Sequence, residues 1–179
     1  MNREHVQQLS LRVATTAGWV HGTLRVPGKA GLVEFLNGED AFLRLTDVTF
    51  PGRTDVLPFV ALRRDAVRLV LPENATDVTP VNETVEMAWH EIWLWMAGRT
   101  VRGRVRVPRH TRVSDQAMHW KSFVPVWNAV DDEMSGASSR LAVVLVHVPH
   151  VLAFVEPPEG RVERIPTSPE RARVRRSAS

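Results

Sequence analysis

Residues 20–27 read VHGTLRVP, and residues 101–108, eighty-one positions later, read VRGRVRVP. The match runs ungapped to residue 49 against residue 130, and six of its thirty pairs are identical: Val20/Val101, Gly22/Gly103, Arg25/Arg106, Val26/Val107, Pro27/Pro108 and Phe42/Phe123. Leu24/Val105, Leu32/Val113, Leu43/Val124 and Leu45/Val126 keep apolar character. Past the next loop the register slips by three, so that Phe59, Val60, Val67 and Val70 fall opposite Val143, Val144, Val151 and Phe154. A period of this length marks a duplicated structural unit, and the fold has to be read one unit at a time.

Each unit reads as short strands. In the quoted stretch Val20, Gly22, Leu24 and Val26 alternate with His21, Thr23 and Arg25, the period of a half-buried strand. A glycine within a strand marks a bulge or sharp bend, and it recurs at the same place in both copies. The proline closing each run lacks an N–H for the ladder and stops the strand. Residues 41–49, 57–62 and 66–71 continue the first copy, while residues 123–130, 141–148 and 151–155 continue the second. Leu32–Leu36 is open between one helical turn and a strand. About five short strands per copy, separated by turns, are the pattern of a small antiparallel barrel. The expectation is a mainly β protein of two tandem barrels, over residues 1–78 and 79–156. The stretch ENATDVTPVNET, residues 73–84, reads as the linker. Residues 157–179 are rich in Pro, Glu, Arg and Ser and read as an extended basic tail that buries too little apolar surface to fold alone.

Val20-x-Gly22-x-Leu24, followed by Phe42-Leu43-x-Leu45-x-Asp47-Val48, resembles the first signature of Sm-like barrels. In that family a bent, glycine-containing strand precedes one that ends in an apolar-Asp element. Sm-like RNA binders carry a second motif, a basic residue followed by glycine, which helps to form their nucleotide pocket. The corresponding stretches here are Leu62-Arg63-Arg64-Asp65 and His147-Val148-Pro149-His150, with no glycine, and Asn128 stands at the Asp47 position of the second copy. The resemblance therefore implies the fold and not the RNA pocket. The overall build is also similar to extrinsic cytoplasmic-side subunits of bacterial photosynthetic reaction-centre and light-harvesting complexes, which implies a structural role beside other subunits.

Charge argues the same way. The pI is about 10.4, yet residues 1–156 carry 17 basic and 17 acidic side chains, and the net +3 comes from the tail. A body without net charge lacks the electrostatic footprint of a general nucleic-acid binder. The absence of cysteine excludes disulfides and thiolate chemistry. The start, MNREHVQQLS, holds no apolar segment of signal-peptide length, and no apolar run approaches the ~20 residues of a spanning helix. These features lead to the expectation of a cytoplasmic protein, at most peripheral on the cytoplasmic face of the inner membrane.

No nucleophile elbow, phosphate loop or dinucleotide glycine pattern occurs, and neither copy holds a paired acid/base constellation, so the reading is non-enzymatic, with no cofactor and no metal. His147 and His150 form the one close histidine pair, and residues three apart on a strand face opposite ways unless the chain turns at Pro149. Asp131-Asp132-Glu133 reads as a solvated acidic loop. Two surfaces stand out. Arg99–Arg112, RTVRGRVRVPRHTR, has six Arg and no acid, and strand alternation sets Arg102, Arg104 and Arg106 on one face. Met87–Met96, MAWHEIWLWM, sets Trp89, Trp93 and Trp95 on one parity against Ile92, Leu94 and Met96 on the other, a pattern that suits either an interface or a strand buried on both faces between the copies. Tryptophan and arginine concentrate binding energy at interfaces. The partner-binding set is accordingly Trp89, Trp93, Trp95, Arg102, Arg104 and Arg106, joined by Arg171, Arg173, Arg175 and Arg176 of the tail. Its expected partners are other protein subunits and an anionic membrane surface. The alternative is a nucleic-acid-binding or regulatory protein that uses the Arg99–Arg112 stripe.

Overall fold

The alternation in VHGTLRVP and its echo becomes two equivalent strands in the computed structural model, which describes residues 6–28, 30–78, 85–134 and 140–157. The first copy comprises β1 (Val6–Thr15), β2 (Gly18–Pro27), the one-turn helix α1 (Leu32–Leu36), β3 (Phe42–Thr49), β4 (Leu57–Arg63) and β5 (Val67–Pro72). The second comprises β6 (Met87–Met96), β7 (Arg99–Pro108), α2 (Val113–Ala117), β8 (Phe123–Asp131), β9 (Arg140–His147) and β10 (Val151–Val155). A 3-10 turn joins β4 to β5 at Arg64–Ala66, and another joins β9 to β10 at Val148–His150. The duplication reaches back to β1 and β6, where no residue pair is identical. Leu11 and Val13 there take the buried places of Ile92 and Leu94.

All ten strands join in one antiparallel sheet, ordered β10-β6-β7-β8-β9-β5-β1-β2-β3-β4. This is one five-strand order written twice. The copies agree down to their irregularities: β2 shifts register against β3 between His21 and Thr23, and β7 against β8 between Arg102 and Arg104. The strand count, which suggests two small barrels, leaves open whether they close; the sheet is not closed. The copies are fused into one open sheet by a short β5–β9 ladder, Leu69 with Val146 and Val70 with Leu145, and β4 and β10 are its two free edges.

Two cores result. Leu9, Leu11, Val13, Leu24, Leu43 and Leu45 lead the first, and Ile92, Leu94, Val101, Val105, Val126 and Val144 lead the second. β9 serves both: Val143 and Leu145 enter the first core, Val144 and Val146 the second. Successive strand side chains point to opposite faces, so the cores lie on opposite sides of the sheet, which passes from one to the other at β5–β9. Burial on both sides explains why β9 reads LAVVLV instead of alternating.

The residues expected as a linker begin as structure. Ala75–Val78 forms a 3-10 turn, and Val78 is buried in the first core; residues 79–84 lie outside the described set. No helix among the described residues is long and apolar enough to cross a membrane.

Candidate interaction face

β6 divides its residues as the sequence alternation requires. Ile92, Leu94 and Met96 are buried, while Trp89, Trp93 and Trp95 are exposed. The tryptophan strand is therefore not sandwiched between the copies; it lies between β10 and β7, away from the β5–β9 junction. Its register against β7 sets Trp89 opposite Arg106, Glu91 opposite Arg104 and Trp93 opposite Arg102. Residues directly opposite in an antiparallel pair share a face, and same-face neighbours along one strand are ~6.5–7 Å apart. Indole and guanidinium groups thus form a two-column array on the outer face of the second copy.

The array is partly knitted together. The Arg106 guanidinium lies 5.4 Å from the Trp89 ring centre, within cation–π range. Trp89 meets Trp127 of β8 edge-on at 6.0 Å, so Trp127 belongs to this face, although its sequence context gave no sign of it. Arg104 pairs with Glu91 at 3.4 Å. Arg102 is exposed beside Trp93 and forms no ion pair among the described residues. A cleft of about 520 Å³ continues the face at one end, lined by Trp95, Gly98, Arg99, Glu133 and Leu152 among others.

Other members of the Arg-rich segment behave differently. Arg109 pairs with Glu86. Arg99 is buried against Asp131 at 3.3 Å and also pairs with Glu133. The solvated acidic loop expected at Asp131–Glu133 is thereby corrected at Asp131, while Asp132 and Glu133 are exposed. Asp131 is fully buried, its Oδ1 accepts the Glu133 N–H at 3.1 Å, and Asp132 accepts the Thr100 N–H at 2.6 Å. Burial lowers the pKa of Arg99 and raises that of Asp131, each opposed by the other's charge. Asp131 and Glu133 are spent on a buried arginine. Arg171, Arg173, Arg175 and Arg176 lie outside the described residues.

Trp19, the one tryptophan of the first copy, works at the junction. Arg12 and Arg99 stand 4.9 and 5.5 Å from its ring centre, so it carries a cation from each copy. His147 and His150 are junction residues too. The turn at Pro149 brings their rings to 5.2 Å. His147 Nδ1 donates to the Val67 carbonyl at 2.8 Å, and His150 Nε2 to that of Asp65 at 2.7 Å. Among the described residues no group of three or more His, Cys, Asp or Glu converges on a point.

Asp47 and Asn128, which correspond in the repeat, are the two non-glycine residues with positive φ among the described residues, at 53° and 48°. Asp and Asn tolerate this left-handed conformation better than other side chains. The apolar-Asp element is accounted for by a left-handed kink within β3 that β8 repeats, beside the register shifts against β2 and β7.

No family model, no curated protein and no solved structure matches this chain.

Proposed function

We propose that the protein is a non-enzymatic structural subunit that docks on partner proteins through the tryptophan–arginine face of its second copy. The observation that carries this is the exposure of Trp89, Trp93 and Trp95 in register with Arg102, Arg104 and Arg106. Exposing three indoles on one strand forfeits burial worth ~1.5–3 kcal/mol for a large apolar side chain, and clustered exposed apolar groups mark interaction sites. Each five-stranded copy is read as a small Sm-like barrel opened along one side and wrapped around its own core. The role fits an adaptor on the cytoplasmic face of a membrane complex such as a reaction-centre and light-harvesting assembly, which the overall build resembles.

The test is native purification with mass spectrometry of co-eluting chains, alongside a triple variant Trp93→Ser, Trp95→Ser, Arg102→Ser. A stoichiometric partner retained by the wild type and lost by the folded variant supports the reading; recovery of the wild type as a lone chain sinks it.

A second reading draws on the same array, because alternating indoles and guanidiniums also suit stacked single-stranded bases. Binding of generic RNA with steep salt dependence, lost on changing Arg102, Arg104 and Arg106 to Ala, favours it. The pairing of Arg104 and Arg109 with acids weighs against it.

A further inference from the structure

The junction between the copies has a left side and a right side, and the chain carries a second, unused version of each. At the junction the second copy presents β9 and the start of β8, and the first copy presents β5 and the end of α1. By the repeat, β4 and the start of β3 are the first copy's version of what β9 and β8 present. Likewise β10 and the end of α2 are the second copy's version of what β5 and α1 receive them with. Both unused sides are at the free edges of the sheet.

Equivalent residues differ in exposure according to whether a neighbouring copy is present. Phe123 is buried at the junction with 2% exposure, while the identical Phe42 at the free end is 47% exposed. Val143 is 4% exposed and its equivalent Phe59 is 56% exposed; Val70 is 0% and its equivalent Phe154 is 37%. Asn37, which ends α1 and holds the backbone of Phe123, is replaced after α2 by the protruding Met118. Among the described residues the free edges carry little of the usual protection where the pairing would fall. β10 reads VLAFV without a charge, and β4 is uncharged from Leu57 to Leu62. Open sheet edges are ordinarily blunted by charge, proline or covering elements. β4 carries two such devices outside the stretch equivalent to the β9 residues that pair: Pro58, three residues before it, and Arg63, which ends the strand and pairs with Asp65.

We infer that β4 of one molecule pairs with β10 of a second copy of this chain, reproducing the β9–β5 junction between molecules. The repeat dictates the register. Leu145 and Val146 correspond to Ala61 and Leu62, and Leu69 and Val70 to Ala153 and Phe154. Leu62 of one copy therefore faces Ala153 of the next, and Ala61 faces Phe154, with Phe42 set against the next copy's Met118. The contact is head-to-tail, so it propagates into a closed ring or an open filament. It leaves the tryptophan–arginine face of β6 and β7 outward and requires nothing of that face's function.

The chain has no cysteine, which permits a direct test on the full protein. A Leu62→Cys/Ala153→Cys double variant should give a ladder of disulfide-linked oligomers under mild oxidation, because facing residues of a ladder stand ~4.5–5.5 Å apart at Cβ. Either single variant should give no ladder. Light scattering of the unmodified chain should show a concentration-dependent mass at least twice the 20.2 kDa of one chain. Ala61→Lys places a charge at an exposed position and should return the mass to that of a monomer with the thermal unfolding temperature unchanged. A monomeric mass at millimolar concentration overturns the inference. So does a dimer linked by Leu62→Cys alone, which would mean symmetric edge pairing.

Discussion

Asn37 and Phe123, which belong to different copies of the repeat, are joined by two hydrogen bonds that imitate one rung of a β-ladder. The Asn37 Nδ2 donates to the Phe123 carbonyl at 3.0 Å, and its Oδ1 accepts the Phe123 N–H at 2.7 Å. Only a side-chain amide offers a donor and an acceptor in this arrangement. Asn37→Ala leaves both part-buried backbone groups unpartnered and should cost ~1–3 kcal/mol. Asn37→Asp keeps the acceptor and turns a carboxylate oxygen toward the carbonyl, so at neutral pH it should be no better than alanine. Urea unfolding midpoints of the three proteins check this order.

The bend glycines are required to unequal degrees. A Cβ on Gly103 would lie 2.6 Å from Val126 Cγ1 and 2.8 Å from the Trp127 carbonyl oxygen, whereas on Gly22 its nearest neighbours are at 3.1 and 3.2 Å. Neither Val126 nor the backbone oxygen can swing aside. Overpacking of this kind costs ~1–3 kcal/mol. Gly103→Ala should fall at or above the top of that range and Gly22→Ala near the bottom, a difference visible in thermal unfolding temperatures.

The repeat makes much of this architecture legible in the sequence alone. Gly22/Gly103 gave the bend, Pro27/Pro108 the strand ends, and the alternation of MAWHEIWLWM the shared parity of the tryptophans, though not whether that face lies outward or between the copies. What escaped has physical causes. β1 carries no identity to β6 because only its inward parity is constrained, so Leu11 and Val13 are free to stand for Ile92 and Leu94. Closure was not legible because strand counts do not tell whether a fifth strand pairs with its own unit or with the neighbour. Asp131 looked solvated because its partner, Arg99, lies 32 residues away in sequence and within a stripe that reads as exposed. Trp127 joined the outer face through a register set by the bulge at Gly103.

At Asp47 and Asn128 the left-handed backbone decides which substitutions are tolerated. A side chain branched at Cβ clashes there, and even alanine carries a strain of ~1–2 kcal/mol. Asn128→Gly should be neutral to slightly stabilising, Asn128→Ala destabilising by about that amount, and Asn128→Val worse still. The same order at Asp47 would exclude a chemical role for its carboxylate. Asp47→Gly losing partner binding while remaining folded would contradict this account.

The Arg99–Asp131 pair should show the asymmetry of buried charges. Both side chains are almost wholly inaccessible, so Asp131→Ala leaves the guanidinium with Glu133, whose side chain is half-exposed, and with the Trp19 ring. Removing one member of such a pair costs ~3–5 kcal/mol, while replacing both by apolar residues of similar volume is often neutral or stabilising. Arg99→Met/Asp131→Leu should therefore unfold at a higher urea concentration than either Arg99→Met or Asp131→Leu alone. A double variant as unstable as the sum of the singles would show that the two residues act independently.

His147 gives the junction a pH dependence. Burial lowers its pKa, and the positive charges of His150 and Arg64 act in the same direction, against its bond to the Val67 carbonyl and the nearby Asp65. Its ring also stacks on Phe123 at 4.4 Å. The unfolded chain, with a histidine pKa of ~6.5, binds the proton before the folded chain does. Unfolding free energy therefore falls as pH drops below that value, by at most ~1.4 kcal/mol per pH unit for one proton, until the folded pKa is reached. The loss is absent above pH ~7.5, where both states are neutral. His147→Gln keeps a donor for Val67 and removes the titration. Its unfolding free energy should lie below wild type at pH 8 and should change less between pH 7 and 5. Parallel pH profiles for the two proteins would assign the acid sensitivity to other groups.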